Sequence, residues 1–290
     1  MYIVWSIYYE EVLVRICMKL LSWNTAKHLK KVSQQYDLIE QINPDIVALQ
    51  EILPSTELEF KKHLRNKYSY ITSSFELAKD LTILKNKRMF GQLIASKYPF
   101  TPLDPKNFQI PWPERVLSVS AEVGNRKLQI HTTHIPPGSS NGWIKIDMIK
   151  GIVDYFSDKS DYDQILCGDF NTPQKVDEKN RIITFGQTIK ASGQVVTKKQ
   201  FRGGLGVDWD EGERSLFKEL RDYGLIDVFR ELNPSNYEAY SWQFVRKDRT
   251  FNKRFDHIFA DKRLNFISCE YAETSRDLSD HLPIVAEFAF

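Results

Sequence analysis

Apolar residues fall in short runs along the whole chain, separated by polar and Gly/Pro/Asn punctuation, and many of the runs are rich in β-branched side chains. Runs of that length and composition suit strands. They predict strands over residues 19–23, 46–50, 92–96, 116–123, 127–133, 164–167, 241–245, 255–260, 266–271 and 284–290. Helical spacing is clearest over 143–156, where Ile149, Ile152, Val153 and Phe156 share one face. Weaker helices are expected over 31–42, stopped at Asn43-Pro44, and over 215–223, stopped at Gly224. Many strands with few helices predict an α/β sandwich, two packed sheets with helices outside.

A second regularity concerns the ends of the runs. Asn24, Glu51, His134 and Asp169 each stand just past an apolar stretch. Polar groups at strand ends can converge on one rim of a sandwich while the runs beneath them form its core. No repeat, low-complexity tract or Pro/Gly/Ser-rich linker divides the 290 residues, so 18–290 are expected to form a single domain. Residues 1–17 read as an extension. Glu10, Glu11 and Arg15 interrupt their apolar character, no small-residue cleavage site follows, and the stretch is too short and too polar to span a membrane.

Composition changes this picture only modestly. Forty basic against thirty-eight acidic residues leave a formal charge of +2, so any nucleic-acid footprint must be local. Three cysteines without paired spacing point to a reducing compartment, and to neither a disulfide framework nor a zinc site. Cys167 ends an apolar run and is expected to be a small buried residue. A cytoplasmic protein with no obligate protein partner is the expectation.

The candidate chemistry sits in a few short segments. In Gly168-Asp169-Phe170-Asn171-Thr172-Pro173 a buried strand leads through a turn-permitting Gly, and in extended geometry Asp169 and Asn171 face the same side. The pair offers a carboxylate to orient or deprotonate water and an amide to hold an oxyanion, although Asp and Asn also favour plain Asx-turns. Glu51, ending Ile46-Val47-Ala48-Leu49-Gln50, places a carboxylate at a sheet edge, where Mg²⁺ or Mn²⁺ finds the oxygen ligands it prefers. In Ser279-Asp280-His281-Leu282-Pro283 a loop closed by Pro lets both Asp280 and His281 reach one site, the first for a metal and the second for phosphate or a proton.

In Arg254-Phe255-Asp256-His257-Ile258 the carboxylate of Asp256 is expected to orient His281, with His257 facing away in a structural role and Trp242 in the core. His134 can donate to phosphate or to a leaving oxygen. His131 lies an odd number of residues away and faces elsewhere, so the two make a poor zinc pair.

Taken in order, Ser22–Asn24, Leu49–Glu51, Thr132–His134, Gly168–Asn171, Arg254–Ile258 and Ser279–Pro283 resemble the endonuclease/exonuclease/phosphatase superfamily over nearly the whole chain. That superfamily includes pancreatic-type DNases, apurinic endonucleases, neutral sphingomyelinases and inositol polyphosphate 5-phosphatases. The resemblance implies a four-layered α/β sandwich of two packed mixed sheets flanked by helices. It implies a divalent metal, Mg²⁺ or Mn²⁺, held by Glu51 with Asn24 and Asp280 nearby. Asp169 would orient the attacking water, Asn171 would bind phosphate, and His281, supported by Asp256, would serve as base or phosphate contact. His134 stands where apurinic endonucleases carry Tyr and pancreatic-type DNases carry His, which favours a phosphate ligand or general acid and points away from abasic-site action. Arg115 stands where relatives place a substrate-contacting Arg.

Nucleic acid is the expected substrate. Arg246, Lys247, Arg249, Lys253 and Arg254 crowd one segment with Phe251 among them and Asp248 the lone acid, a composition suited to a phosphate backbone and an unstacked base. Arg254 is included among the substrate contacts, and Lys198, Lys199 and Arg202 form a weaker patch. Lipid or inositol phosphoesters are the alternative within the superfamily. A remote one is a serine hydrolase using Ser140, Asp256 and His281, since Gly138-Ser139-Ser140-Asn141-Gly142 matches the nucleophile-elbow pattern; Ile135-Pro136-Pro137, however, separates it from the preceding strand.

Overall fold

A computed structural model of the chain describes residues 16–290 apart from 79–81, 83, 248, 275 and 276. Two six-stranded sheets dominate it. The first runs in the order Asn265–Tyr271, Ile284–Ala289, Cys17–Asn24, Ile46–Ile52, Gly91–Ser96, Tyr70–Ser73. The second runs Leu225–Asp227, Asp256–Asp261, Asp163–Asp169, Arg126–His134, Val116–Val123, Phe100–Pro102. Each sheet is antiparallel except for one parallel pair, Cys17–Asn24 with Ile46–Ile52 and Arg126–His134 with Asp163–Asp169. The helices Val32–Ile42 and Ile144–Tyr155 lie in the crossovers between these pairs, as parallel neighbours require.

Period-two alternation sorts the side chains into three layers of core. Leu20, Ala48 and Ile94 face Leu117, Ile130, Ile165, Cys167 and Ile258 between the sheets. Their chain neighbours Leu21, Val47 and Leu49 face outward onto Tyr36, Ile39, Phe60 and Leu64 of the helices Val32–Ile42 and Pro54–Leu64. On the opposite side Val116, Leu166 and Phe259 pack against Ile149, Ile152, Val153 and Phe156, together with Leu216 and Leu220 of the helix Gly206–Asp222. Strands buried on both faces explain the near-continuous apolar runs. The helices on the outer faces supply the remaining two layers.

The expected strands are all present. Arg249–Lys253, expected as a segment joining two strands, is a strand too, paired with Trp242–Arg246, and short paired strands of two or three residues lie between 175 and 205. Three more complete the two large sheets: Tyr70–Ser73, Phe100–Pro102 and Leu225–Asp227. All three are edge strands of three or four residues, too short to show alternation. The helix expected over 215–223 begins much earlier, at Gly206. Its buried face includes Gly212 and Glu213, which break the apolar spacing; a Cβ at Gly212 would come within 2.5 Å of Ile146 in the neighbouring helix. The supposed extension falls outside the described residues except for Ile16 and Cys17. Both join the fold, Cys17 opposite Ala289 and the Ile16 carbonyl accepting the Phe290 N–H at 2.9 Å. Among the described residues no helix is long and apolar enough to cross a membrane.

Candidate active site

Both parallel pairs end at the same rim of the sandwich, and that rim carries the polar residues. In the second sheet His134 pairs in register with Asp169, and Asp169 with Asp256, so three chemical side chains form one row across three strands. Gly168 makes the row possible in an unexpected way. It stands inside the strand at φ +135°, and a Cβ there would fall 1.9 Å from the Thr133 carbonyl, so the glycine serves close strand approach.

In the first sheet the ladder between Ile46–Ile52 and Gly91–Ser96 slips between Leu49 and Ile52, and Glu51 adopts a left-handed φ of 56°. Ala26, Lys27, Asn171 and Arg202 share that conformation, and all five line one cleft of about 860 Å³. Left-handed backbone is unfavourable for side-chain-bearing residues and collects at functional sites.

At the floor of the cleft Asn24 Nδ2 donates to Asp169 Oδ2 at 2.9 Å and approaches Glu51 Oε1 at 3.4 Å. His134 Nε2 lies 3.6 Å from Glu51 Oε1 and 3.7 Å from Asp169 Oδ2. His281 Nδ1 bonds Asp256 Oδ2 at 2.7 Å, while its Nε2 lies 3.8 Å from Asp169 Oδ2. The His281 loop is pinned from both sides: Trp23 Nε1 donates to the His281 carbonyl at 2.9 Å, and Ser279 Oγ donates to the Asn24 carbonyl at 2.7 Å.

Burial sets the protonation of these groups. It raises the Asp169 carboxyl to about 7, with Asp256 pushing the same way and His281 against. For His281 burial alone would lower the ring, but Asp256 and Asp169 outweigh it and bring it to about 10. Burial and then the Arg115 charge hold His134 well below the ordinary histidine value. Burial and neighbouring charge thus favour a cationic His281 beside Asp256 and a neutral His134, and push the Asp169 carboxyl up.

Several expected contacts are arranged differently. The amide oxygen of Asn24 accepts the Ala26 N–H at 3.0 Å, so it is the Asn24 nitrogen, and not a metal-ligating oxygen, that faces the carboxylates. Asp280 is exposed on the cleft wall, where it accepts the Trp242 indole N–H at 2.9 Å. The close cluster of possible ligand atoms among the described residues is Asp169, Asp256 and His281, all within 4.8 Å of one another. Asn171 is not extended. Its left-handed φ of 51° turns Nδ2 onto the Ile135 carbonyl (2.9 Å) and Asp169 Oδ2 (3.2 Å), so both amide hydrogens brace the turn where a phosphate contact was expected.

Arg115 is buried and bonds His134 Nδ1 at 2.6 Å, behind the site. Arg254 is not at the cleft at all: its guanidinium forms a bidentate pair with Asp227, at 3.1 and 2.6 Å, which also meets His257. Two charges buried together are satisfied by each other, which holds the buried Arg254 guanidinium on Asp227, outside the lining of the cleft. Trp242, expected in the core, instead lines the cleft. Ser140 Oγ donates to its own turn at Pro137, 3.4 Å away, and no hydrogen bond joins it to Asp256 or His281 among the described residues, so the serine-hydrolase alternative has no geometry.

Other residues escaped the sequence reading. Lys145 lies fully buried against Glu213 and donates to the Asn171 carbonyl at 2.8 Å, and Trp209 Nε1 donates to Glu213 at 2.9 Å. A buried lysine on a helix face otherwise apolar was the available signal. The hairpin formed by Trp242–Arg246 and Arg249–Lys253 overhangs the cleft, with Asp248 outside the described residues. Its Trp242 and Phe244 rings stack at 5.9 Å and 7°, Phe244 faces Phe251 across the hairpin, and the two phenylalanines are 48% and 42% exposed. Lys27, Arg202, Arg246 and Lys253 add positive charge around the same opening.

The donor set suits a hard divalent cation. Glu51 and Asp169 converge on the same two neutral groups, Asn24 and His134, and Asp256 keeps an oxygen, Oδ1, buried with no partner among the described residues. Three carboxylates against the cationic His281 and Arg115 leave negative charge that is costly to bury, and oxygen ligands of this kind match Mg²⁺ or Mn²⁺.

Comparison with known proteins follows the same line. Residues 21–281 match the Endonuclease/Exonuclease/phosphatase family. The chain is 25% identical to exodeoxyribonuclease III of Haemophilus influenzae, over 93% of this chain and 100% of that protein. It is 26% identical to a DNA-(apurinic or apyrimidinic site) endonuclease of Dictyostelium discoideum, over 92% and 69% of the two chains. Its fold resembles that of an AP endonuclease from Archaeoglobus fulgidus, with a TM-score of 0.64 at 20% identity over 93% and 99% of the chains.

Proposed function

The chain belongs to the endonuclease/exonuclease/phosphatase family, and from that membership we propose that it hydrolyses phosphodiester bonds in nucleic acid, DNA first, with the help of a bound Mg²⁺ or Mn²⁺. The observation that carries this reading is the meeting of Glu51, His134, Asp169, Asp256 and His281 beneath a cleft rimmed by cationic and aromatic side chains. The curated relatives named as nucleases of DNA support the choice of substrate.

Each side chain has a task that its surroundings favour. Glu51 and Asp169 would hold the cation, which when bound neutralises phosphate charge and stabilises the leaving oxygen. Asp169, oriented by Asn24 and Asn171, would accept a proton from the attacking water. His281, kept cationic by Asp256, holds a phosphoryl oxygen. His134 offers a neutral N–H to a second such oxygen. Asn24, Asn171 and Lys145 keep the Asp169 carboxylate aimed.

The test is a panel of single- and double-stranded DNA, abasic DNA, RNA, sphingomyelin and inositol phosphates with Mg²⁺ or Mn²⁺, alongside Asp169→Ala. Cleavage of a nucleic acid that EDTA abolishes, and that falls by on the order of 10²-fold or more in the variant, is expected. Turnover confined to lipid or inositol phosphates, or an undiminished Asp169→Ala enzyme, would overturn it.

A further inference from the structure

Arg115 is 2% exposed, yet among the described residues it reaches no carboxylate by hydrogen bond. One terminal nitrogen meets His134 Nδ1 at 2.6 Å and the other donates to the Lys87 carbonyl at 2.6 Å. Its guanidinium carbon lies 5.0 Å from the centre of the Phe90 ring and 5.7 Å from that of Trp112. Arg88 lies over Trp112 in turn and is tied to Glu114 by two bonds of 2.6 Å. Stacked rings and these anchored partners leave the guanidinium little freedom to swing toward a substrate.

A guanidinium has five N–H donors and no acceptor. A hydrogen bond between it and His134 Nδ1 therefore requires a lone pair on Nδ1, which puts the ring hydrogen on Nε2. That atom is buried, has no hydrogen-bond partner among the described residues and faces the cleft side, where Glu51 and Asp169 stand. A ring in this tautomer cannot bind a cation through Nε2 or accept a proton there, and losing the Nε2 proton would make an imidazolate. It can only donate.

We infer that Arg115 is a positioning residue that locks His134 in the Nε2–H form, so that His134 acts as a fixed neutral donor to a phosphoryl oxygen and not as the general acid. The catalytic part of this assignment rests on the phosphodiesterase reading above; the tautomer itself does not.

The experiment has two arms on the full chain. In the first, long-range ¹H–¹⁵N spectra of histidine-labelled, metal-free protein at neutral pH are compared with those of His134→Gln to assign the ring. A pyrrole-type Nε2 with a pyridine-type Nδ1 is expected; an Nδ1–H tautomer or an imidazolium overturns the inference without any engineered change at Arg115. In the second, Arg115→Met is measured in the native and His134→Gln backgrounds on the best nucleic-acid substrate. A loss in kcat/KM of about 10- to 100-fold in the first and of about twofold or less in the second is expected. Equal losses in both would show that Arg115 touches substrate itself and overturn its positioning role. Should Arg115→Met unfold, judged by its melting curve, the spectra of the unaltered protein decide the inference alone. Absence of turnover on every nucleic acid would count against the proposed substrate, and the spectra would still decide the tautomer.

Discussion

Lys145 Nζ donates to the carbonyl of Asn171 at 2.8 Å, and its other partner is the buried carboxylate of Glu213. The ion pair thus braces the turn that aims Asp169, although Lys145 belongs to a helix and Glu213 to another. Lys145→Met is expected to cost about 3–5 kcal/mol, because the buried charge of Glu213 would be left without its cation. Adding Glu213→Gln removes the unpaired charge and keeps one amide oxygen to accept from either Trp209 or Phe185, and should recover part of that stability. Turnover should stay low in the double variant, since the Asn171 carbonyl still lacks its donor. Urea denaturation beside kcat separates the two effects; full recovery of kcat would remove the bracing role.

The Arg254–Asp227 pair is structural, and its pH signature follows from linkage. Burial alone would raise the Asp227 carboxyl, but Arg254 and His257 outweigh it and hold the group well below the usual carboxylate range. A carboxyl depressed in the folded state is protonated more readily in the unfolded one. Its stabilisation is complete above the unfolded value of about 4 and is lost as pH falls from there toward the folded value. Asp227→Asn should therefore destabilise by about 3 kcal/mol at neutral pH, with the gap from wild type narrowing below pH 4. A gap that stayed constant down to pH 2 would contradict the assignment.

Cation binding should be visible without any substrate. Mg²⁺ or Mn²⁺ at about a hundred times its dissociation constant is expected to stabilise the native chain by about 2.7 kcal/mol over the EDTA-treated protein. Glu51→Gln removes a formal charge from the site and should abolish most of this gain. Thermal unfolding with and without EDTA reads the difference; an unchanged cation response in Glu51→Gln would move the ligand set elsewhere.

The exposed rings of Phe244 and Phe251 carry little of the fold. Replacing both with Ala is expected to change stability by about 0.5 kcal/mol or less, while weakening single-stranded DNA binding by about 1–3 kcal/mol for each base that loses its stacking platform. Fluorescence titration with an oligonucleotide, at several salt concentrations, tests this. A change confined to the salt slope would assign the hairpin to backbone phosphates alone.

Much of the architecture was legible because long buried strands state their own period: each of the ten predicted strands coincides with an observed one. What escaped was short or mixed in composition: the three edge strands, the strand Arg249–Lys253, the helix Pro54–Leu64 and the start of the helix Gly206–Asp222, with Gly212 and Glu213 on its buried face, were among it. At the site, the positions of Asn24, Glu51, His134 and Asp169 at run ends were readable, and so was the pairing of Asp256 with His281. The directions of the donors were not. Asn24 turns its nitrogen inward, Asn171 folds back on Asp169, and Arg254 finds Asp227 instead of the cleft.

Sequence alone determined which chemical groups stand at the ends of buried strands, because the alternation of a strand is set by the covalent geometry of the chain. Only the tertiary structure decided what each group does there. A hydrogen bond's direction depends on partners brought from distant strands and helices, as Lys145 and Glu213, 68 residues apart, are brought together behind Asn171, and a buried group's protonation depends on the charges that folding places beside it.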